Sequence, residues 1–295
     1  MRNAFIDELI IAAEDNEKIV LIVGDLGYGV VEPFAKKFPS RFFNAGVAEQ
    51  NMIGVASGLA SEGFHVFVYS IGNFPTFRCA EQIRNDIDYH MFPVTIVVVG
   101  GGVAYGSLGY SHHAIQDYSL IRSMPNMLIA APGDPMEVRS CMKYLLQNPQ
   151  PSYLRLGKAG ERNIHSKPPV VNPGCWLDVV GGDDEDIVYL TTGATLAMVV
   201  DHRENSNSKI SIKSMPLWSM RSKDKQAEQL SRFDSVITVE DHLIDGGFGS
   251  WLMESVVGNN NLISKLKLKY LDSRICGMVA NQNTLNNEGG LIDFQ

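Results

Sequence analysis

The sequence predicts an α/β protein of two domains, each a mostly parallel sheet covered by helices. Three observations carry this expectation. The strand candidates of the first half of the chain are continuous apolar runs, not alternating ones, as expected of strands buried on both faces. Segments of helical periodicity separate those runs. A stretch rich in Gly, Pro and charge divides the chain between residues 157 and 186.

Taken in order, Phe5, Leu9, Ala12 and Ala13 recur at helical spacing, and the run IVLIV at 19–23 stops at Gly24, giving a helix and then a buried strand. A short strand near Phe42, a helix from about Gly46 and the strand HVFVYSI follow. Next come a helix over 76–89, the strands VTIVVVG and MLIAA, and a helix through PMEVRSCMKYLLQ. These elements define a first domain at 1–165 and a linker at 166–185, in which GGDDED reads as a solvated turn. The second domain, 186–295, repeats the alternation with DIVYLTT, KISIKSM, SVITVE and KLKLKYL as strands.

Composition narrows the function. The 295 residues are 45% hydrophobic and carry 25 Lys+Arg against 33 Asp+Glu, with no basic tract, so nucleic acid is not expected as a partner. The four cysteines lie far apart without a CxxC pair, which points away from a zinc site or a disulfide framework and towards a reducing compartment. The N-terminus lacks a signal-peptide apolar region and no apolar run approaches the roughly 20 residues of a membrane span. A cytoplasmic protein without membrane contact is expected.

Ligands of parallel α/β sheets gather at the carboxyl ends of strands. After the first strand stands GDLG at 24–27, which on its own reads as a turn. After VTIVVVG comes a long glycine-rich loop holding His112 and His113; they are plain surface residues or, at a strand's carboxyl end, proton donors and acceptors, and no third ligand makes them a metal site. Glu49 stands among Ala45, Gly46, Val47, Ala48, Met52 and Ile53. With Asn44 or Gly46 as N-cap it falls in the first helical turn, where a carboxylate is favoured and exposed. Its apolar neighbours argue instead for a buried acid, which needs a partner.

The stretch NAGVAEQNMIGVASGLA at 44–60 closely resembles the pyrimidine-binding domain of transketolases and their thiamine-diphosphate-dependent relatives. The similarity continues in order through GDLG, YSIGNFPTFRCAEQIRND, GSLGYSHH, MPNMLIAAPGDPMEV and VEDHLIDGGFGS. The resemblance implies that Glu49 hydrogen-bonds N1′ of the cofactor's aminopyrimidine, favouring the imino form that removes the thiazolium C2 proton. It further implies Phe74, or else Tyr69, as the aromatic stacked on the pyrimidine, and Asp25 with Leu26 beside the cofactor. His112 and His113 fall at the sugar-contacting histidine position, with Arg2 and Lys158 near the phosphate-binding positions. Leu108 replaces an aspartate that recognises a substrate hydroxyl, and Gly100 falls near another sugar-contacting histidine, so the sugar expected is not the usual pentose phosphate.

The chain carries no GDG motif with a downstream Asn of the kind that binds the diphosphate and Mg²⁺. The resemblance therefore implies the C-terminal subunit of a split transketolase. Its partner, an N-terminal subunit, would hold most of the Mg²⁺ and diphosphate site in an α2β2 heterotetramer acting on sugars or sugar phosphates. The alternatives are the β subunit of a 2-oxo acid dehydrogenase and a noncatalytic structural subunit.

Overall fold

The structure, a computed structural model, describes residues 1–182 and 184–291. Part of GGDDED, Asp183, and the last four residues of the expected second domain lie outside the described residues.

The first sheet contains β1 (Ile19–Val23), β2 (Phe42–Asn44), β3 (His65–Ile71), β4 (Val94–Val99), β5 (Leu128–Ala130) and β6 (Ser152–Leu156). The second contains β7 (Leu177–Val180), β8 (Asp184–Thr191) and β9 (Ile210–Ser214) with two later strands. Between β9 and those strands, β10 (Leu217–Trp218) crosses back to the first sheet; β11 (Ser235–Val239) and β12 (Leu266–Lys269) complete the second. The strand orders are β10-β5-β6-β4-β3-β1-β2 and β12-β11-β8-β9-β7. Pairing is parallel except at two edges, where β10 runs antiparallel to β5 and β7 to β9. The fold is therefore two mostly parallel α/β sheets. The stretch 166–185 holds β7, and β10 ties the second half of the chain to the first sheet.

The apolar runs explain the layering. Val20 and Ile22 of β1, with Val66 and Val68 of β3, face one hydrophobic layer; Ile19, Leu21, Val23, Phe67 and Tyr69 face the other. Neither face is open to water, hence IVLIV is unbroken, and the one polar side chain of VTIVVV, Thr95, is satisfied across the sheet by Ser152 Oγ at 2.9 Å and His65 Nε2 at 3.2 Å. The Arg2–Asp15 helix lays Phe5 and Leu9, both fully buried, on the second layer, each burial stabilising by about 1.5–3 kcal/mol. The first layer runs from Ile22, Met52 and Ile96 into Val188, Leu190, Phe248 and Trp251, so one core joins the two sheets.

Besides β7 in the expected linker and the short β10, two further elements differ from expectation. The helix expected over 76–89 is broken into Asn73–Phe77, Ala80–Gln82 and a π-helical turn, Ile83–Asp88. The break at Arg78 and Cys79 turns the Arg78 side chain outwards to Glu49. The central strand β6 was not anticipated, because Arg155 interrupts the apolar pattern of SYLRL; the guanidinium is buried against two carboxylates.

Candidate active site

The site forms where β1, β2, β3 and β4 end. Asp25 follows β1 with φ +55°, and its backbone N–H donates to Asn44 Oδ1 at 3.1 Å while Asn44 Nδ2 donates to Asp25 Oδ1 at 3.0 Å. Asn44 Oδ1 also accepts from the Gly46 N–H at 2.9 Å. Gly46, at φ +70°, uses backbone freedom that an L side chain resists, and turns the chain from β2 into the Glu49–Ser61 helix. Ala48, and not Asn44 or Gly46, is the N-cap, so Glu49 is the first helical residue.

Glu49 is only 3% exposed and accepts from Arg78 Nη1 at 2.9 Å. The same guanidinium lies over the Phe74 ring, 4.3 Å from its centroid. Phe74 meets His112 edge-on at 5.1 Å. Arg78 thus links the acid, the aromatic and the loop histidine that the sequence singled out. His112 Nδ1 sits 3.0 Å from Ser111 Oγ. Burial, then the neighbouring His113 and Arg78, hold its pKa below the ordinary histidine value, which favours the neutral ring. Cys79, beside this group, has its thiol pushed up to about 12 by burial and by Glu49, which leaves it unreactive.

The other sequence-predicted residues are placed differently. Tyr69 is fully buried and stacks on Phe5 at 5.9 Å, so its ring offers no face to the cleft. His113 is also fully buried, its Nε2 3.4 Å from the Gly106 carbonyl. These two points correct the expectation that an aromatic on β3 or the second histidine faces a ligand: alternation along β3 turns Tyr69 into the helical layer, and the loop turns the His113 ring inwards. Asp25 and half-buried Leu26 line a small cleft of about 190 Å³ on the β1–β2 side. Exposed Lys158 places its ammonium 5.1 Å from the Tyr105 ring centroid; burial raises the Tyr69 and Tyr105 hydroxyls above the ordinary tyrosine value, and nearby Arg2 opposes that rise at both. Tyr105 in turn stands 6.5 Å from His112, edge-on. Leu108 is exposed in the same loop.

Sequence reasoning missed Arg78, Phe77 and Tyr105. Phe77 is 48% exposed, one helical turn after Phe74, and lines a cleft of about 830 Å³ with Phe74, Arg78 and Ser111. A second cleft, about 470 Å³, is lined by Val47, Glu49, Asn51 and Arg78. The available signal was the cation in NFPTFRC, the counterpart a buried Glu49 requires.

Behind the loop lies a fully buried ionic cluster. Arg155 donates to Asp117 Oδ2 through Nε at 2.8 Å, to Asp241 Oδ1 through Nη1 at 2.6 Å and to the Ala114 carbonyl through Nη2 at 2.7 Å. Tyr153 OH donates to Asp117 Oδ2 at 2.6 Å. The segment VEDHLIDGG, at 239–247, therefore grips the histidine loop from the second sheet; the Leu243 N–H also donates to the Ile115 carbonyl at 3.0 Å.

In class, this is an α/β chain of two mostly parallel sheets, with a buried acid, an aromatic and a histidine linked through Arg78 and Phe74 at the carboxyl ends of the first sheet. Residues 1–161 match the family described as transketolase, pyrimidine binding domain. The chain belongs to the transketolase family. It is 34% identical over 268 residues, 90% of this chain and 84% of the relative, to a putative transketolase C-terminal section of Methanocaldococcus jannaschii. One of the subunits of apulose-4-phosphate transketolase from Phocaeicola vulgatus is 32% identical over 88% of this chain and 84% of that one. Among solved structures it is similar to a split gene transketolase in an inactive β4 tetramer, with TM-score 0.83 and 29% identity, covering 98% of this chain and 93% of the other. The chain is thus a split transketolase-type subunit.

The residues fit a flat heteroaromatic cofactor ring. Glu49 is a buried acceptor at the cleft wall, and Phe74 already has a planar cationic group over its face. Among the described residues no group of three His, Cys, Asp or Glu side chains is placed to hold a metal ion, and no helix is long and apolar enough to cross a membrane.

Proposed function

We propose that this chain supplies the aminopyrimidine half of a thiamine-diphosphate site, completed by a separate N-terminal subunit that holds the diphosphate and its Mg²⁺, in an α2β2 transketolase. The observation that carries the reading is Glu49: a carboxylate at a helix N-terminus, almost without solvent, lining a cleft and joined to Phe74 through Arg78. Thiamine diphosphate supplies the nucleophilic carbon that cleaves a ketose beside its carbonyl and passes a two-carbon unit to an aldehyde. Glu49 accepts a hydrogen bond from, or shares its proton with, the ring nitrogen. Phe74 and Phe77 form the apolar platform for the ring, in place of Tyr69. His112 hydrogen-bonds sugar oxygens, and Arg2 with Lys158 attracts an anionic end of the sugar. Asp25 and Leu26 support the cofactor from the β1 side.

A neighbouring chain has a surface to cover here. Val47 and Val55 are 74% and 44% exposed, and a Cβ added at Gly54 or Gly58 meets nothing within 4 Å, so the outer face of the Glu49–Ser61 helix is smooth and open. Its glycines are available for close approach of another backbone. Leu108 and Gly100, in place of polar sugar contacts, favour a sugar other than the usual pentose phosphate; the relative named for apulose 4-phosphate is in keeping with this. Free thiols at exposed Cys175 and Cys276 accord with a cytoplasmic complex.

The test is to co-express the chain with a separately encoded chain carrying the diphosphate-binding domain, and to titrate thiamine diphosphate with and without Mg²⁺. The complex is expected to bind and transfer ketol units, and the chain alone to do neither. An isolated chain that binds the cofactor fully and turns over sugars defeats the split assignment. A second expectation concerns the platform. Phe74→Ala raises the cofactor Kd of the complex about tenfold, the scale of one lost aromatic stacking contact, while its melting point holds; an unchanged Kd removes Phe74 from the site.

A further inference from the structure

We infer that Arg78 is a displaceable occupant of the aminopyrimidine seat, an exchange gate that the cofactor must turn out. The inference rests on the cofactor reading above and deepens it.

Two contacts define the seat. Arg78 Nη1 donates to Glu49 Oε2 at 2.9 Å, and its guanidinium carbon lies 4.3 Å from the Phe74 ring centroid. A guanidinium is planar, rich in N–H donors and stacks on aromatic faces. A protonated or imino-type pyrimidine ring offers the same combination, an in-plane N–H for the carboxylate and a flat face for Phe74. Both groups compete for one oxygen and one ring face.

The exchange is easy in one direction and costly in another. The Arg78 side chain is 47% exposed, so it reaches water by rotation about its own bonds. Glu49 is 3% exposed and fixed by its helix, so without a partner its charge would be buried and uncompensated. Arg78 therefore keeps the acid paired until a ring replaces it. Its position also separates space: Arg78 lines both the 470 Å³ cleft with Glu49 and the 830 Å³ cleft with Phe74, Phe77 and Ser111. Turning it out joins the acid to the aromatic platform in one cavity.

The experiment uses the full chain in complex with its diphosphate-binding partner. Thiamine diphosphate with Mg²⁺ is titrated by calorimetry into wild type, Arg78→Met and Arg78→Lys. An exchange gate predicts a Kd lowered about three- to fivefold in Arg78→Met, the strength of a half-exposed ion pair, with Arg78→Lys between. In the chain alone, Arg78→Met lowers the melting point and Glu49→Gln added to it restores most of the loss, because the unpaired acid is the cause. An Arg78→Met complex that binds as wild type does, or more weakly, overturns the gate and makes Arg78 a neutral or supporting residue. A wild-type complex that binds no thiamine diphosphate overturns the cofactor reading, and the gate with it, so the two failures are told apart.

Discussion

Glu49→Gln in the assembled enzyme is expected to abolish hydrogen exchange at the cofactor's C2 carbon and to lower turnover by about 10²- to 10⁴-fold, the range of a lost acid–base group. Fold and assembly should survive. The carboxamide is isosteric, it begins the same helix, and the core beneath it, Met52 and Ile53, is untouched. Arg78 keeps an acceptor in the amide oxygen and loses only a charge. Glu49→Ala should give the same chemical loss with a small stability cost. The comparison that matters is exchange against melting point: a variant complex that exchanges C2 hydrogen normally would remove Glu49 from the chemistry, whatever its stability. A variant that fails to assemble would place the acid in the subunit interface instead.

What could be read beforehand follows from how each residue's environment is encoded. Strands β1, β3 and β4 are buried on both faces, so their sequences are mostly apolar without alternation and their positions are legible. Glu49 was legible as an anomaly, because a buried charge contradicts its neighbours. Strand β6 was not, since the same rule misleads when the charge is fully paired inside: Arg155 looks like a surface residue until Asp117 and Asp241 are brought to it from 38 and 86 positions away. Arg78 failed for a related reason. A periodic helix was expected through it, and only the break between Phe77 and Ala80 aims its side chain at Glu49. Tyr69 and His113 show the remaining gap. A motif places a residue near a cleft to within one position, but in a strand one position reverses the face, and in a loop nothing in the sequence fixes where a ring points.

The second large effect is expected at that hidden charge. Arg155→Met should cost about 3–5 kcal/mol of unfolding free energy, because it leaves Asp117 and Asp241 buried and unpaired. The loss should be felt at the site, since the guanidinium also holds the Ala114 carbonyl, two residues from His112, and joins Asp241, which follows β11 of the second sheet, to that loop. If uncompensated charge is the cause, adding Asp117→Asn and Asp241→Asn to Arg155→Met recovers most of the stability in urea melts of the chain. Neutral amides restore hydrogen bonding in the pocket without the desolvation cost of two anions. Recovery of stability without recovery of turnover would then separate two roles of one residue: balancing buried charge, which the amides replace, and holding the His112 loop against the second sheet's Asp241 segment, which needs the guanidinium's donors. A triple variant no more stable than Arg155→Met would show that the geometry of the fork, and not the charge balance, holds this junction together.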